Sequence, residues 1–371
     1  MANLILPLTY GMNMIEYEKG VQGISLQLHI TAECDQRCKH CYMFNSEHYK
    51  SQIKNALSKQ EWIKLIDEYF EFLSEYQSSG LIALTGGDPI LSPYFWDILN
   101  HIKINYSMRC TVLVLGNSYH ITKEVAKKMK SLGVYGYQIS IDGLKETHDY
   151  MRKKGSFDDA MRALEILHTE GIRTITAFTV SKLNGKEIIP LFEYLQKLSF
   201  IDAFGFDRMI PTGNGKKIKD EIFTGKEFRQ LLFDILKYEV FSNPNIILSK
   251  KEGMWKVLLY ELGLIDPIDT SEKKSFITGC NCGTGTTSVL ADGTVFPCRK
   301  LEIPAGKYPE KNFKELFINN KVTKLFRAHK SYKGCFRCEA NIVCKGCPSM
   351  KYAVTGDFFG YDPYCWRCSN E

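Results

Sequence analysis

Cys34, Cys38 and Cys41 are separated by three and then two residues in the run Cys34-Asp35-Gln36-Arg37-Cys38-Lys39-His40-Cys41, just after a β-rich stretch. Three thiolates at this spacing can hold three irons of a [4Fe–4S] cube and leave the fourth open. Clusters that only pass electrons usually carry four thiolates, so an open iron is a place for chemistry. Zinc is the other metal to weigh. It needs a fourth ligand, for which His40 and His48 are the nearest candidates, and three close-set thiolates behind a strand suit a zinc knuckle poorly.

Nine of the thirteen cysteines fall from Cys280 onward. Asp292-Gly293 between two β-like runs reads as a hairpin turn, which brings Cys282 and Cys298 together. Cys335-x2-Cys338-x5-Cys344-x2-Cys347 and Cys365-x2-Cys368 follow. An odd cysteine count in a long chain argues against a closed disulfide framework and for metal sites in a reducing, cytoplasmic setting. CxxC pairs also bind zinc, but a spacing of five residues leaves a very short loop for a zinc ribbon. Cys110 lies in an apolar run and reads as a small buried hydrophobe.

These groups need a scaffold. From residue 24 to residue 211, six β-rich runs (Ile24–Thr31, Leu81–Thr85, Cys110–Leu115, Tyr135–Ile141, Ile172–Val180 and Ala203–Met209) alternate with helical or turn-rich sequence. Trp62, Leu65, Ile66, Tyr69, Phe70 and Leu73 make one apolar helical stripe, a core face without chemistry. Repeated strand–helix units require a parallel sheet with right-handed crossovers. The expected class is therefore α/β, a partial (β/α)6 parallel barrel with a small Cys-rich C-terminal domain. Its boundaries are an N-terminal extension over 1–23, the barrel over 24–211, a helical bridge over 212–276 and the Cys-rich part over 277–371. Ligands of parallel α/β folds sit at the carboxyl ends of strands. Those ends carry Cys34–Cys41, Thr85-Gly86-Gly87-Asp88-Pro89, Asn117, Ser140-Ile141-Asp142-Gly143 with Arg152 beyond, and Asp207-Arg208. Arg208 is placed to bind cofactor or substrate, or to neutralise Asp207.

A net charge of +6, spread along 371 residues, does not imply nucleic acid and is compatible with an acidic peptide partner. No run of about twenty apolar residues occurs, and Met1–Gly20 lacks the basic and apolar pattern of a secretory signal.

The Cys34/Cys38/Cys41 spacing, with His40 before the last cysteine and Tyr42 after it, resembles the CxxxCxxC signature of the radical S-adenosylmethionine (SAM) superfamily. The later cysteines resemble the SPASM domain of its peptide-modifying members. The resemblance implies a [4Fe–4S] cluster whose open iron binds SAM, and two auxiliary [4Fe–4S] clusters. Gly86-Gly87-Asp88-Pro89 is similar to the GGEP motif, whose backbone holds the amino group of SAM's methionine. Ser140 takes the position of a ribose contact and Arg152 that of a carboxylate partner, while Tyr42 completes the cofactor contacts. Cys282, Cys298 and Cys347 are implied ligands of auxiliary cluster I, and Cys335, Cys338, Cys344 and Cys365 of cluster II. Cys280 either completes cluster I or is spare, in which case an open iron there could take a substrate sulfur; Cys368 could replace Cys365.

The implied activity is reductive cleavage of SAM and radical modification of a ribosomally made precursor peptide, by thioether or C–C cross-linking or by epimerisation. An electron donor such as flavodoxin or ferredoxin is implied. With about twenty residues before the first strand, leader recognition is expected from the barrel and bridge or from a separate leader-binding protein, or is absent. A sulfatase-maturing role is the nearest alternative, but Arg299 stands where those enzymes place an Asp base. A zinc-stapled binding or scaffold protein is the alternative of another class.

Overall fold

A computed structural model describes residues 24–242, 244–249, 252–265, 280–327 and 334–367. The N-terminal extension, the end of the bridge and Cys368 lie outside them. The six expected strands are present as β1 Ser25–His29, β2 Gly80–Thr85, β3 Cys110–Leu115, β4 Val134–Ser140, β5 Arg173–Val180 and β6 Ala203–Arg208. They pair in sequence order, all parallel. β1 and β2 are buried along their whole length; β2 accordingly reads as an apolar run, whereas β1 alternates Ser25, Gln27 and His29 with Leu26 and Leu28.

Helices cover the outside of this curved sheet. Lys59–Glu75 is started by a capping box, with Ser58 and Glu61 satisfying each other's backbone amides. Its Trp62, Leu65, Ile66, Tyr69, Phe70 and Leu73 are all buried, as their spacing predicts. On the inner face, β5 alternates so that Arg173, Ile175 and Ala177 face the barrel interior.

One feature differs from the sequence reading. The stretch read as a helical bridge holds helices Gly225–Ser242 and Gly253–Glu261, but also β7 Ile247–Ser249, which adds a seventh parallel strand beside β6. Leu262 lies just past the second helix and is 38% exposed.

The hairpin expected around Asp292-Gly293 forms from β8 Thr286–Val289 and β9 Thr294–Phe296. β8 pairs parallel with the free side of β1, and β9 pairs with β10 Gly306–Lys307, giving one ten-stranded sheet. The strand that leads into Cys34 is therefore flanked on both sides. Gly293 turns at φ +81°, and a side chain there would meet the Tyr308 carbonyl. No helix among the described residues is long and apolar enough to cross a membrane.

Candidate active site

A cavity of about 180 Å³ opens at the carboxyl ends of β1–β6. Cys34, Cys38, Cys41 and Tyr42 line it, with Gly86, Gly87, Asn117, Ser140 and Arg152. Spacing selects the cysteines, the family resemblance the glycines, Tyr42, Ser140 and Arg152, and the strand-end rule Asn117, and the fold brings them to one wall. Asp88 is the exception: it is fully buried beneath the cavity and its amide donates to the Glu33 carbonyl.

Each cysteine has a neighbour that suits a thiolate. Asn117 Nδ2 lies 3.3 Å from Cys34 Sγ, Arg152 Nη1 lies 3.6 Å from Cys38 Sγ, and the Phe44 amide donates to Cys41 Sγ at 3.4 Å. Burial pushes the Cys38 thiol up to about 12 even with Arg152 beside it, so this thiol stays protonated unless a metal replaces the proton.

Arg152 is also held by its other nitrogens. Its Nε donates to Asp142 Oδ2 at 2.6 Å, and Asp142 Oδ1 accepts from the Thr179 amide. Burial works against the Asp142 carboxylate, but Arg152, then His40, outweigh it and hold its pKa below the usual range. His40 Nε2 lies 3.2 Å from Asp142, and burial keeps the imidazole neutral by lowering its pKa to about 4. His40 therefore buttresses Asp142 through Nε2, and among the described residues it does not converge with the three thiols into a metal-sized group. His48 is packed edge-on against Phe296.

The loops are locked by backbone contacts that only glycine allows. A side chain on Gly86 or Gly87 would strike the carbonyls of Thr31 or Glu33 at 2.2 and 2.1 Å. These glycines fit under the cysteine loop, a close approach of backbone to backbone. After β6, Gly213 at φ +54° lies against the carbonyls of Cys41 and Tyr42, and Asn214 bonds the carbonyls of Cys41 and Cys38.

Arg208 does not answer Asp207. It forms a bidentate pair with Asp362, at 3.1 and 2.9 Å, and an ion pair with Glu252. Asp207 faces Lys300 instead. Asp362 in turn accepts the Cys347 amide, and its own amide donates to Cys335 Sγ. The pair thus links the barrel mouth to two C-terminal cysteines.

Those cysteines fall into two sets. The thiol of Cys282 is raised by burial and then by its neighbours Cys298, Cys280 and Cys347. Cys344 is raised by burial and, among its neighbours, by Cys335 and Cys365, while Cys338 faces Arg367. Among the described residues, no three cysteine sulfurs lie within 4.8 Å of one another. One zinc with bonds of about 2.3 Å would draw its thiolates to roughly 3.8 Å apart. The spread suits a larger, multi-iron group.

A second cavity of about 340 Å³ fills the barrel interior and reaches Cys280, Cys298, Cys344 and Cys347. The two cavities share Gln138, Ala177, Asp207, Arg208, Arg299 and Lys300 as a common wall. Arg299 lies with its guanidinium 5.9 Å from the Tyr42 ring at this junction. Sequence reasoning reaches the cysteines, glycines and Arg152, and the strand-end rule points to Asn117. No sequence signal marks His40 as a buttress, Asn214 as a clamp, or Asp362.

A parallel partial barrel with a cysteine triad at its mouth and a cysteine-rich segment on its β1 edge defines the radical SAM proteins that carry further iron–sulfur clusters. Comparison with known families agrees: residues 28–195 match the Radical SAM superfamily, and residues 280–348 match the SPASM iron–sulfur cluster-binding domain. The chain is a radical SAM protein with a C-terminal SPASM domain. Its cofactors are a [4Fe–4S] cluster and SAM in the barrel and auxiliary iron–sulfur clusters in the SPASM domain.

Among similar proteins, an AdoMet-dependent heme synthase of Methanosarcina barkeri is 28% identical, over 91% of this chain and 94% of that protein. The mycofactocin maturase MftC of Mycolicibacterium smegmatis is 25% identical, over 94% and 84%. The structure of Streptococcus suis SuiB bound to its precursor peptide SuiA superposes with a TM-score of 0.72, at 15% identity, over 96% of this chain and 79% of that one.

Proposed function

We propose that this chain is a peptide maturase that modifies a residue of a ribosomally made precursor, by thioether or C–C cross-linking or by epimerisation. Cys34, Cys38 and Cys41 would hold the SAM-binding cluster. The open iron of that cluster supplies the electron that splits SAM into methionine and a 5′-deoxyadenosyl radical. Gly86, Gly87, Ser140, Tyr42 and Arg152 would hold and orient SAM. Arg152, fixed by Asp142, keeps positive charge beside Cys38.

Cys280, Cys282, Cys298 and Cys347 would form one four-thiolate site, and Cys335, Cys338, Cys344 and Cys365 the other. With four thiolates on the first, no iron remains open for a substrate sulfur. The auxiliary clusters would then serve as electron acceptors, and flavodoxin or ferredoxin would suit as external donor.

The observation that carries the peptide reading is the interior cavity. At about 340 Å³ it is near the lower end of ligand pockets, roughly 300–1,000 Å³, and shares lining residues with the triad cavity. That room suits a side chain or short turn entering from the mouth, where water is excluded and a C–H bond can be aligned. A tetrapyrrole substrate is the second reading, favoured by the heme synthase relatives and by Arg173, Lys256 and Arg299 on the cavity wall, which would receive carboxylates. Sulfatase maturation is disfavoured because Arg299 supplies no base.

The test incubates anaerobically reconstituted protein, SAM and a reductant with the peptide encoded by a neighbouring small reading frame or with an iron coproporphyrin. With the reaction run in D2O, a loss of two hydrogens or the uptake of one deuterium confined to the peptide supports the proposal. A change confined to the porphyrin replaces it with the second reading. Loss of 5′-deoxyadenosine in Cys34→Ala is expected either way.

A further inference from the structure

Beside Cys34, under the cluster loop, Asp35, Asp88 and His120 converge from the loops that follow β1, β2 and β3. One ligand atom of each lies within 4.8 Å of the other two, and His120 Nε2 is 3.9 Å from Asp35 Oδ2. Asp88 has no exposed surface, yet its Oδ2 has no hydrogen-bond partner. Asp35 Oδ2 and His120 Nε2 also have none. The remaining oxygens are used: Asn117 Nδ2 donates to Asp35 Oδ1 at 2.6 Å, and the Asn117 amide approaches Asp88 Oδ1 at 3.4 Å. Buried carboxylate oxygens without a donor are costly, and two together repel.

We propose that Asp35, Asp88 and His120 form a divalent-cation site distinct from the iron–sulfur clusters. Two carboxylates and one imidazole suit a first-row ion such as Mn²⁺, Fe²⁺ or Zn²⁺ better than Ca²⁺, which takes six to eight oxygens. Asp35 and His120 are 22% and 32% exposed although the ligand atoms themselves are buried, so the ion enters as these two rim side chains turn aside. The three ligands tie together the loops that carry Cys34, Gly86-Gly87 and Asn117. Because Asn117 also contacts Cys34 Sγ, an ion here fixes the orientation of the cluster loop without touching SAM.

The test is a Mn²⁺ titration, followed by the EPR signal of the free ion, on iron-replete, oxidised, SAM-free protein. One equivalent of Mn²⁺ is expected to bind, to be displaced by Zn²⁺ and to resist excess Mg²⁺. Asp88→Asn and His120→Ala should each weaken binding at least tenfold. Asp67→Asn, which breaks the His101–Asp67 surface pair, should leave it unchanged. His120 lies at the rim, so its variant decides the matter even if Asp88→Asn fails to fold, and cluster absorbance verifies that each variant is loaded. No saturable Mn²⁺ binding, or equal binding by wild type and His120→Ala, overturns the site and leaves a proton shared between the two carboxylates.

Discussion

Arg208 and Asp362 are 154 positions apart and meet as a buried bidentate pair, 5% and 0% exposed. Removing Asp362 leaves the buried Arg208 with only Glu252 to answer it, so Asp362→Ala should cost about 3 kcal/mol, the lower end for a broken buried pair. A lowered urea midpoint of the reconstituted protein checks this. Burial opposes the Asp362 carboxylate, but Arg208 outweighs it and lowers its pKa. The stabilisation is therefore complete above the ordinary carboxylate range and is lost as pH falls through the depressed folded value. His29 acts earlier on the acid side. Burial, then the charge of Arg299, lowers its pKa to about 3, so between pH 6.5 and 3 the unfolded chain takes a proton that the folded one refuses. His29 should contribute roughly 1.4 kcal/mol per pH unit to the fall in stability in that window, on top of what the buried His40 and His148 add down to about pH 4. His29→Gln should flatten the slope in urea midpoints measured across it.

At the scale of elements, the loop after β6 is a clamp on the cluster loop. Gly213→Ala would force a side chain into the left-handed region and against two carbonyls, and Asn214→Ala would leave the Cys38 and Asn45 contacts unmade. A loss of about 1–3 kcal/mol is expected from such a buried polar deletion. The readout is faster bleaching of the iron–sulfur absorbance in air, with Asn45→Ala as a milder relative. The clamp also marks the limit of what the sequence conveys. β2 and β3 are legible because they are buried on both faces and read as unbroken apolar runs. The cysteines are legible because metal ligation demands fixed spacing. Asn214 and Asp362 carry no such pattern, since their roles depend on what the fold brings opposite them. β7 is only three residues long, too short for periodicity to show inside a helical stretch.

Across the whole molecule, β1 is where the halves of the chain depend on each other. It is paired on one side by β2 and on the other by β8, some 260 residues later, and it delivers Cys34 to the barrel mouth. Leu26 and Leu28 of β1 are fully buried in a core that also contains Val289 and Val295 of the hairpin. A chain ending at Ile265 would keep the barrel strands but expose one edge of β1, an unpaired row of amides and carbonyls beside apolar side chains, which is a template for association. Such a shortened chain should elute in larger assemblies than the full chain or precipitate, and it should retain little iron at Cys34, Cys38 and Cys41. Thr287→Pro tests the same dependence in the intact chain. Thr287 is 1% exposed and sits in a strand paired on both sides, where proline removes a ladder bond and costs about 3 kcal/mol or more. If β8 is what holds β1 in place, iron should be lost from the triad as well as from the SPASM cysteines. Spectroscopy of variants that keep only one set of cysteines distinguishes the two losses. Loss at the SPASM cysteines alone would mean that β2 by itself holds β1 and the triad in position.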